Sequence, residues 1–102
     1  MELKPGSRFK SAVCTTEVVV VRPPKTPVTV ECGGAPMVAQ GETVPAGITI
    51  SPEHNNGTLL GKRYIDGETA LELLCAKAGE GSLSVNLRSL AIKDAKRLPS
   101  SD

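Results

Sequence analysis

Thr69-Ala70-Leu71-Glu72-Leu73-Leu74-Cys75-Ala76-Lys77-Ala78 is the stretch on which the fold class turns, because its residues satisfy two incompatible periodicities. As a helix it has strong helix formers, Thr69 and Glu72 at capping-box spacing, and an apolar stripe of Ala70, Leu71, Leu74, Cys75 and Ala78. As a strand it matches an earlier segment of the same chain. Sliding the sequence against itself by 55 positions brings Gly6, Arg8, Glu17 and Val30 onto the identical Gly61, Arg63, Glu72 and Val85. The same shift puts the only Phe, Phe9, on the only Tyr, Tyr64. It also puts Val18 and Val19 on Leu73 and Leu74, Val28 on Leu83, and Met37 on Ile92. Val18-Val19-Val20-Val21 is a continuous β-branched run typical of a strand buried on both faces. The repeat therefore decides for a strand over 69–78. One short hairpin unit cannot bury its apolar face alone, whereas two can pack on each other.

Working outward, the alternation predicts strands over Val13–Val21 and Val28–Cys32. Arg22-Pro23-Pro24-Lys25-Thr26-Pro27 between them can only be a loop, since proline donates no ladder bond, and the two strands read as a long-tipped hairpin. A third short strand is expected at Gly47–Ser51, and a further alternating one at Leu83–Leu87. The expected class is all-β: small antiparallel sheets, with two tandem hairpin units sharing a core. The units run over 1–51 and 59–94, joined by the polar linker 52–58 and followed by a charged tail, 95–102.

With 102 residues the chain has room for one small domain, not for separate cofactor and substrate lobes. A net charge of +1 and 2% aromatic residues give neither the basic footprint nor the stacking platforms of a nucleic-acid binder. No apolar run approaches the length that spans a bilayer, and Met1-Glu2-Leu3-Lys4-Pro5-Gly6 does not read as a secretory signal. The expected location is cytoplasmic, where three cysteines are free thiols or metal ligands before they are disulfides.

Gly6-Ser7-Arg8-Phe9-Lys10-Ser11-Ala12-Val13-Cys14, followed by Cys32-Gly33-Gly34-Ala35-Pro36-Met37, resembles the desulforedoxin family and the N-terminal module of desulfoferrodoxins. The family pattern is Gly-x-x-Tyr-x-Cys-x-x-Cys-Gly, a hairpin, then Cys-Cys-Gly-x-Pro-Met. That likeness implies a rubredoxin-type scaffold in which four thiolates hold one iron. It also places Ser11 where the first Cys belongs and Gly33 where the fourth belongs, leaving Cys14 and Cys32 of the ligand set. Aligned by the 55-residue shift, the four matching positions of the second half are Asp66, Thr69, Leu87 and Arg88, and Cys75 falls on Val20, a core position. The likeness further implies a tandem that mimics a homodimer of single units.

The expected role is a non-catalytic binding or assembly module, an accessory subunit or partner-binding protein built on a scaffold that has lost its iron. It would use a protein partner or a second copy, with no cofactor, nucleic acid or membrane. Two alternatives stand beside it. One is a Zn or Fe protein, metal-binding or electron-transferring, using Cys14 and Cys32, with Cys75 and His54 as candidates to complete a three-Cys, one-His site. The other is a small thiol-dependent enzyme. His54 itself reads as a solvated loop residue, Asp66, Glu68 and Glu72 as a solvated strand entry, and Gly79 and Gly81 as a loop hinge.

Overall fold

The computed structural model describes residues 2–93. Over these the chain forms ten short strands: β1 (Arg8–Lys10), β2 (Glu17–Arg22), β3 (Val30–Cys32), β4 (Ala35–Pro36), β5 (Val38–Ala39), β6 (Arg63–Ile65), β7 (Glu72–Lys77), β8 (Leu83–Val85), β9 (Arg88–Ser89) and β10 (Ala91–Ile92). A single 3-10 turn, Pro52–His54, is the only helical element among the described residues. No helix there is long and apolar enough to cross a membrane. The class is all-β, with every pairing antiparallel.

The contested stretch is strand β7. Leu71, Leu73 and Cys75 point alternately into the core and are 1% exposed or less, a period of two that the helical stripe cannot satisfy. Thr69 does not cap a helix; its hydroxyl and amide both bond the Asp66 carboxylate.

One sheet has the order β10-β6-β7-β2-β1-β5, the other β4-β3-β8-β9. Matched residues of the two halves face each other at the centre of both. Val18 pairs with Cys75, Val19 with Leu74 and Val20 with Leu73, while Val30 pairs with Val85, Glu31 with Ser84 and Cys32 with Leu83. Such self-complementary register is what a two-fold axis between the halves produces. Backbone bonds repeat accordingly. Gly6 N–H to Val20 O recurs as Gly61 N–H to Cys75 O, and Met37 N–H to Val30 O as Leu90 N–H to Leu83 O. The first of these pairs is offset by 55 positions and the second by 53, because the loop after β7 is two residues shorter than the loop after β2. Cys32 and Gly33 therefore correspond to Val85 and Asn86, not to Leu87 and Arg88. Met37 corresponds to Leu90.

Four sequence expectations give way here. β2 and β3 do not form a hairpin: the proline-rich segment between them carries the chain from one sheet to the other, and each strand finds its neighbours elsewhere. No strand forms at Gly47–Ser51, where Ile48 is exposed and Ser51 N–H bonds the Gly33 carbonyl beyond a strand end. The Leu83–Leu87 alternation stops at Val85, because Asn86 and Leu87 take left-handed φ of 49° and 68° in the turn to β9. The matching turn between β3 and β4 uses Gly33 and Gly34 at 67° and 87°, which glycine adopts without strain. The valine run is also buried on one face only, with Val18 and Val20 inside and Val21 exposed. Phe9 and Tyr64 occupy matched buried positions between the sheets. The expected tail lies outside the described residues.

Candidate functional site

The tight loop between β1 and β2 is closed by Ser11 N–H bonding Thr16 O at 2.8 Å. Inside it, the Ser11 hydroxyl oxygen accepts the amides of Val13 and Cys14, both at 3.0 Å, a local side-chain turn that folds Cys14 back over Ser11. Cys32 ends β3 in the other sheet, fully buried, and its Sγ lies 3.8 Å from Cys14 Sγ. Around the half-buried Cys14 sulfur stand the Ser11 and Thr16 hydroxyls, each at 3.3 Å, and the Gly81 amide at 3.4 Å.

The Gly79–Gly81 segment roofs the two sulfurs. A Cβ on Gly79 would stand 2.6 Å from Thr16 N and 3.0 Å from Cys14 Sγ; one on Gly81 would stand 2.9 Å from Gly33 N and 3.0 Å from Cys32 Sγ. Only glycine lets the backbone approach this closely. Thr58 fastens the roof, its amide bonding Gly79 O and its hydroxyl Gly81 O, and the Thr15 hydroxyl adds a bond to Ala78 O. These glycines are not a free hinge.

The thiols are electrostatically unlike. Burial opposes ionisation of Cys14, yet hydrogen bonds from the Ser11 and Thr16 hydroxyls and from the Thr16 and Gly81 amides outweigh it and bring its pKa down to about 7. Burial, and then the charge on Cys14, push Cys32 up to about 11. Burial also raises Cys75, whose thiol donates to Lys77 O at 3.2 Å.

Of the residues the sequence singled out, the fold thus unites Cys14 and Cys32. Cys75 lies in β7 opposite Val18, and His54 lies in the 3-10 turn, with its carbonyl accepting from Ser82 and its ring beside Gly34. Among the described residues no three His, Cys, Asp or Glu side chains converge as a metal-ligand group. The positions implied for iron supply two thiols, a Ser11 oxygen already accepting two amides, and at Gly33 no side chain. They do not fit a four-thiolate centre.

The matched corner of the second half is an ion pair. Asp66 N–H bonds Leu71 O just as Ser11 bonds Thr16, but the Asp66 carboxylate accepts the Thr69 amide and hydroxyl and Arg88 Nη2 at 2.8 Å. Although burial resists it, Arg88 and Thr69 hold Asp66 below its ordinary carboxylate range. Asp66 and Glu72 are not a solvated cluster: both are buried, and Glu72 meets Arg63 and Lys93 at 3.3 Å each.

Outside this corner each half also carries a surface concavity. Beside Phe9, Met37 and Ala39 lies a concavity of about 800 Å³, and beside Tyr64, Leu90 and Ile92 a different one of about 290 Å³. The Tyr64 hydroxyl accepts the Leu59 amide at 2.9 Å. Compared with family models, curated proteins and solved structures, the chain matches none.

Proposed function

We propose that this chain is a small β protein that works through Cys14 and Cys32 as a reversible dithiol–disulfide pair. The observation that carries this is the geometry of the pair: two sulfurs 3.8 Å apart, one half-open among hydrogen-bond donors and one sealed. A bridge needs the two sulfurs to close to the ~2 Å of a disulfide, and the low-pKa thiol supplies the attacking thiolate. A cytoplasmic setting keeps such a pair reduced at rest. Equilibration with a glutathione redox buffer tests the reading. The expected product is a single Cys14–Cys32 bridge that dithiothreitol reverses, with Cys75 still free. A bridge that uses Cys75, or no bridge at all, overturns it.

A second reading, the non-catalytic assembly module, is favoured by the concavity beside Phe9, Met37 and Ala39. If a second copy seats there, sedimentation shows a dimer for the wild type and a monomer for Ala39→Ile. Equal monomeric masses remove that form of the reading.

A further inference from the structure

We infer that Cys14 is a hydroperoxide-reducing site with Cys32 as its resolving thiol, an inference that rests on the dithiol reading above and names its oxidant. Three features of the corner select this class of substrate.

Access comes first. Cys32 is fully buried and Cys14 is half-buried, so a reagent from solvent meets Cys14. The glycine roof comes within van der Waals reach of both sulfurs, since even an added Cβ on Gly79 would lie 3.0 Å from Cys14 Sγ. That crowding favours a slender O–O reagent over a bulky disulfide, which reacts here too but more slowly. Donors come second. The thiol faces the Ser11 and Thr16 hydroxyl oxygens and accepts the Gly81 amide; once Cys14 ionises, both hydroxyls turn their protons onto the sulfur, with no cationic side chain among them. Neutral donors in fixed positions stabilise an oxygen leaving with negative charge. Capture comes third: with the partner sulfur 3.8 Å away, an oxidised Cys14 is resolved within the site.

The chemistry balances. Cys14 thiolate attacks one peroxide oxygen; the S–O bond forms, the O–O bond breaks, and the departing oxygen takes the proton that Cys14 had released, leaving as water or an alcohol. Cys32 sulfur then attacks the Cys14 sulfenic acid; the S–S bond forms, the S–O bond breaks, and hydroxide leaves as water with the Cys32 proton. The two thiols lose two electrons and the hydroperoxide gains them. The first step also prepares the second. The negative charge on Cys14 is one cause of the raised Cys32 pKa, and conversion to a neutral sulfenic acid removes it.

The test uses the full chain and hydrogen peroxide at pH 7, beside oxidised glutathione and a free-cysteine control. Against an ordinary thiol at 9.0, a pKa of about 7 raises the ionised fraction at pH 7 about fiftyfold, which the weaker nucleophilicity of a low-pKa thiolate cuts to a rate at least about fivefold above the free-cysteine control. One equivalent of peroxide is expected to consume two thiols and give the Cys14–Cys32 bridge. Cys32→Ser should stop at a Cys14 sulfenic acid trapped by dimedone, Cys14→Ser should yield neither, and Cys75→Ala should behave as wild type. Thr16→Val keeps both thiols and the shape of a buried side chain, and should slow the peroxide step several-fold. If glutathione disulfide forms the bridge but peroxide reacts no faster than with free cysteine, this inference falls and the dithiol reading stands. If neither oxidant forms the bridge, both fall.

Discussion

The corner after β1 and the corner after β6 share a backbone and not a chemistry. In each, the residue after the strand bonds the carbonyl five positions on and accepts the amide three positions on, Ser11 in one case and Asp66 in the other. In the first the enclosed space holds two thiols and two hydroxyls; in the second it holds a carboxylate gripped by Thr69 and Arg88. The loop conformation is thus set by one main-chain bond and one side-chain oxygen that accepts an amide, and the other side chains are free to differ. The second half uses that freedom for an ion pair; on the function proposed above, the first uses it for reactivity.

The comparison predicts unequal costs. Asp66→Ala removes a buried carboxylate with three donors and should destabilise by about 3 kcal/mol in urea unfolding, whereas the matching Ser11→Ala should cost only about 1 kcal/mol. Because Asp66 titrates below its ordinary range, its contribution is present above that range and is lost as pH falls through its folded pKa. Asp66→Asn should therefore flatten the acid side of the stability profile. Equal costs at Asp66 and Ser11 would break the comparison.

Alkylation by iodoacetamide should separate the thiols nearly as strongly. Cys14 should gain rate as pH rises through about 7, while Cys32 and Cys75, both raised by burial, stay unreactive there. Peptide mapping of the labelled chain checks this. A shared midpoint near the ordinary thiol value would mean that the hydroxyl cage does not act.

Gly79→Ala drives a Cβ into Thr16 and should cost about 2 kcal/mol of stability while slowing Cys14 alkylation, because the Gly81 amide is carried off with the loop. Tyr64→Phe makes the second half resemble the first, loses the bond from the Leu59 amide, and should cost about 1 kcal/mol. The smallest effect has the opposite sign. Leu87, exposed and at φ 68°, stands where the first half has Gly34, so Leu87→Gly should raise stability by up to about 1 kcal/mol, read as a higher melting temperature. A lower one would show that Leu87 is held by contacts rather than merely tolerated.

Much of this was legible in the residues, because periodicity records burial. The match of Val18 and Val19 to Leu73 and Leu74 correctly settled strand over helix where propensity pointed the other way. The juxtaposition of Cys14 with Cys32 was implied by the resemblance to the desulforedoxin pattern, not by their spacing of 18 positions. Partner choice was not legible: a run such as Val28–Cys32 says that a strand forms, not which sheet receives it, and the segment with Pro23, Pro24 and Pro27 carries it to the other sheet. Glu72 and Asp66 read as solvated because charge alone hides an ion pair whose partners lie up to 22 positions away. Gly79 and Gly81 read as a hinge because close approach of a backbone to two sulfurs leaves no mark in sequence beyond the glycines themselves.

The pairing of β2 with β7 has a kinetic consequence. Val19 and Leu74 meet across 55 positions of chain, so the central ladder cannot form until that large loop has been closed against its conformational entropy. Neither half owns a complete sheet meanwhile. Folding should be a single slow, all-or-none event in the millisecond-to-second range typical of non-local β-proteins, with no half-folded species accumulating on the way.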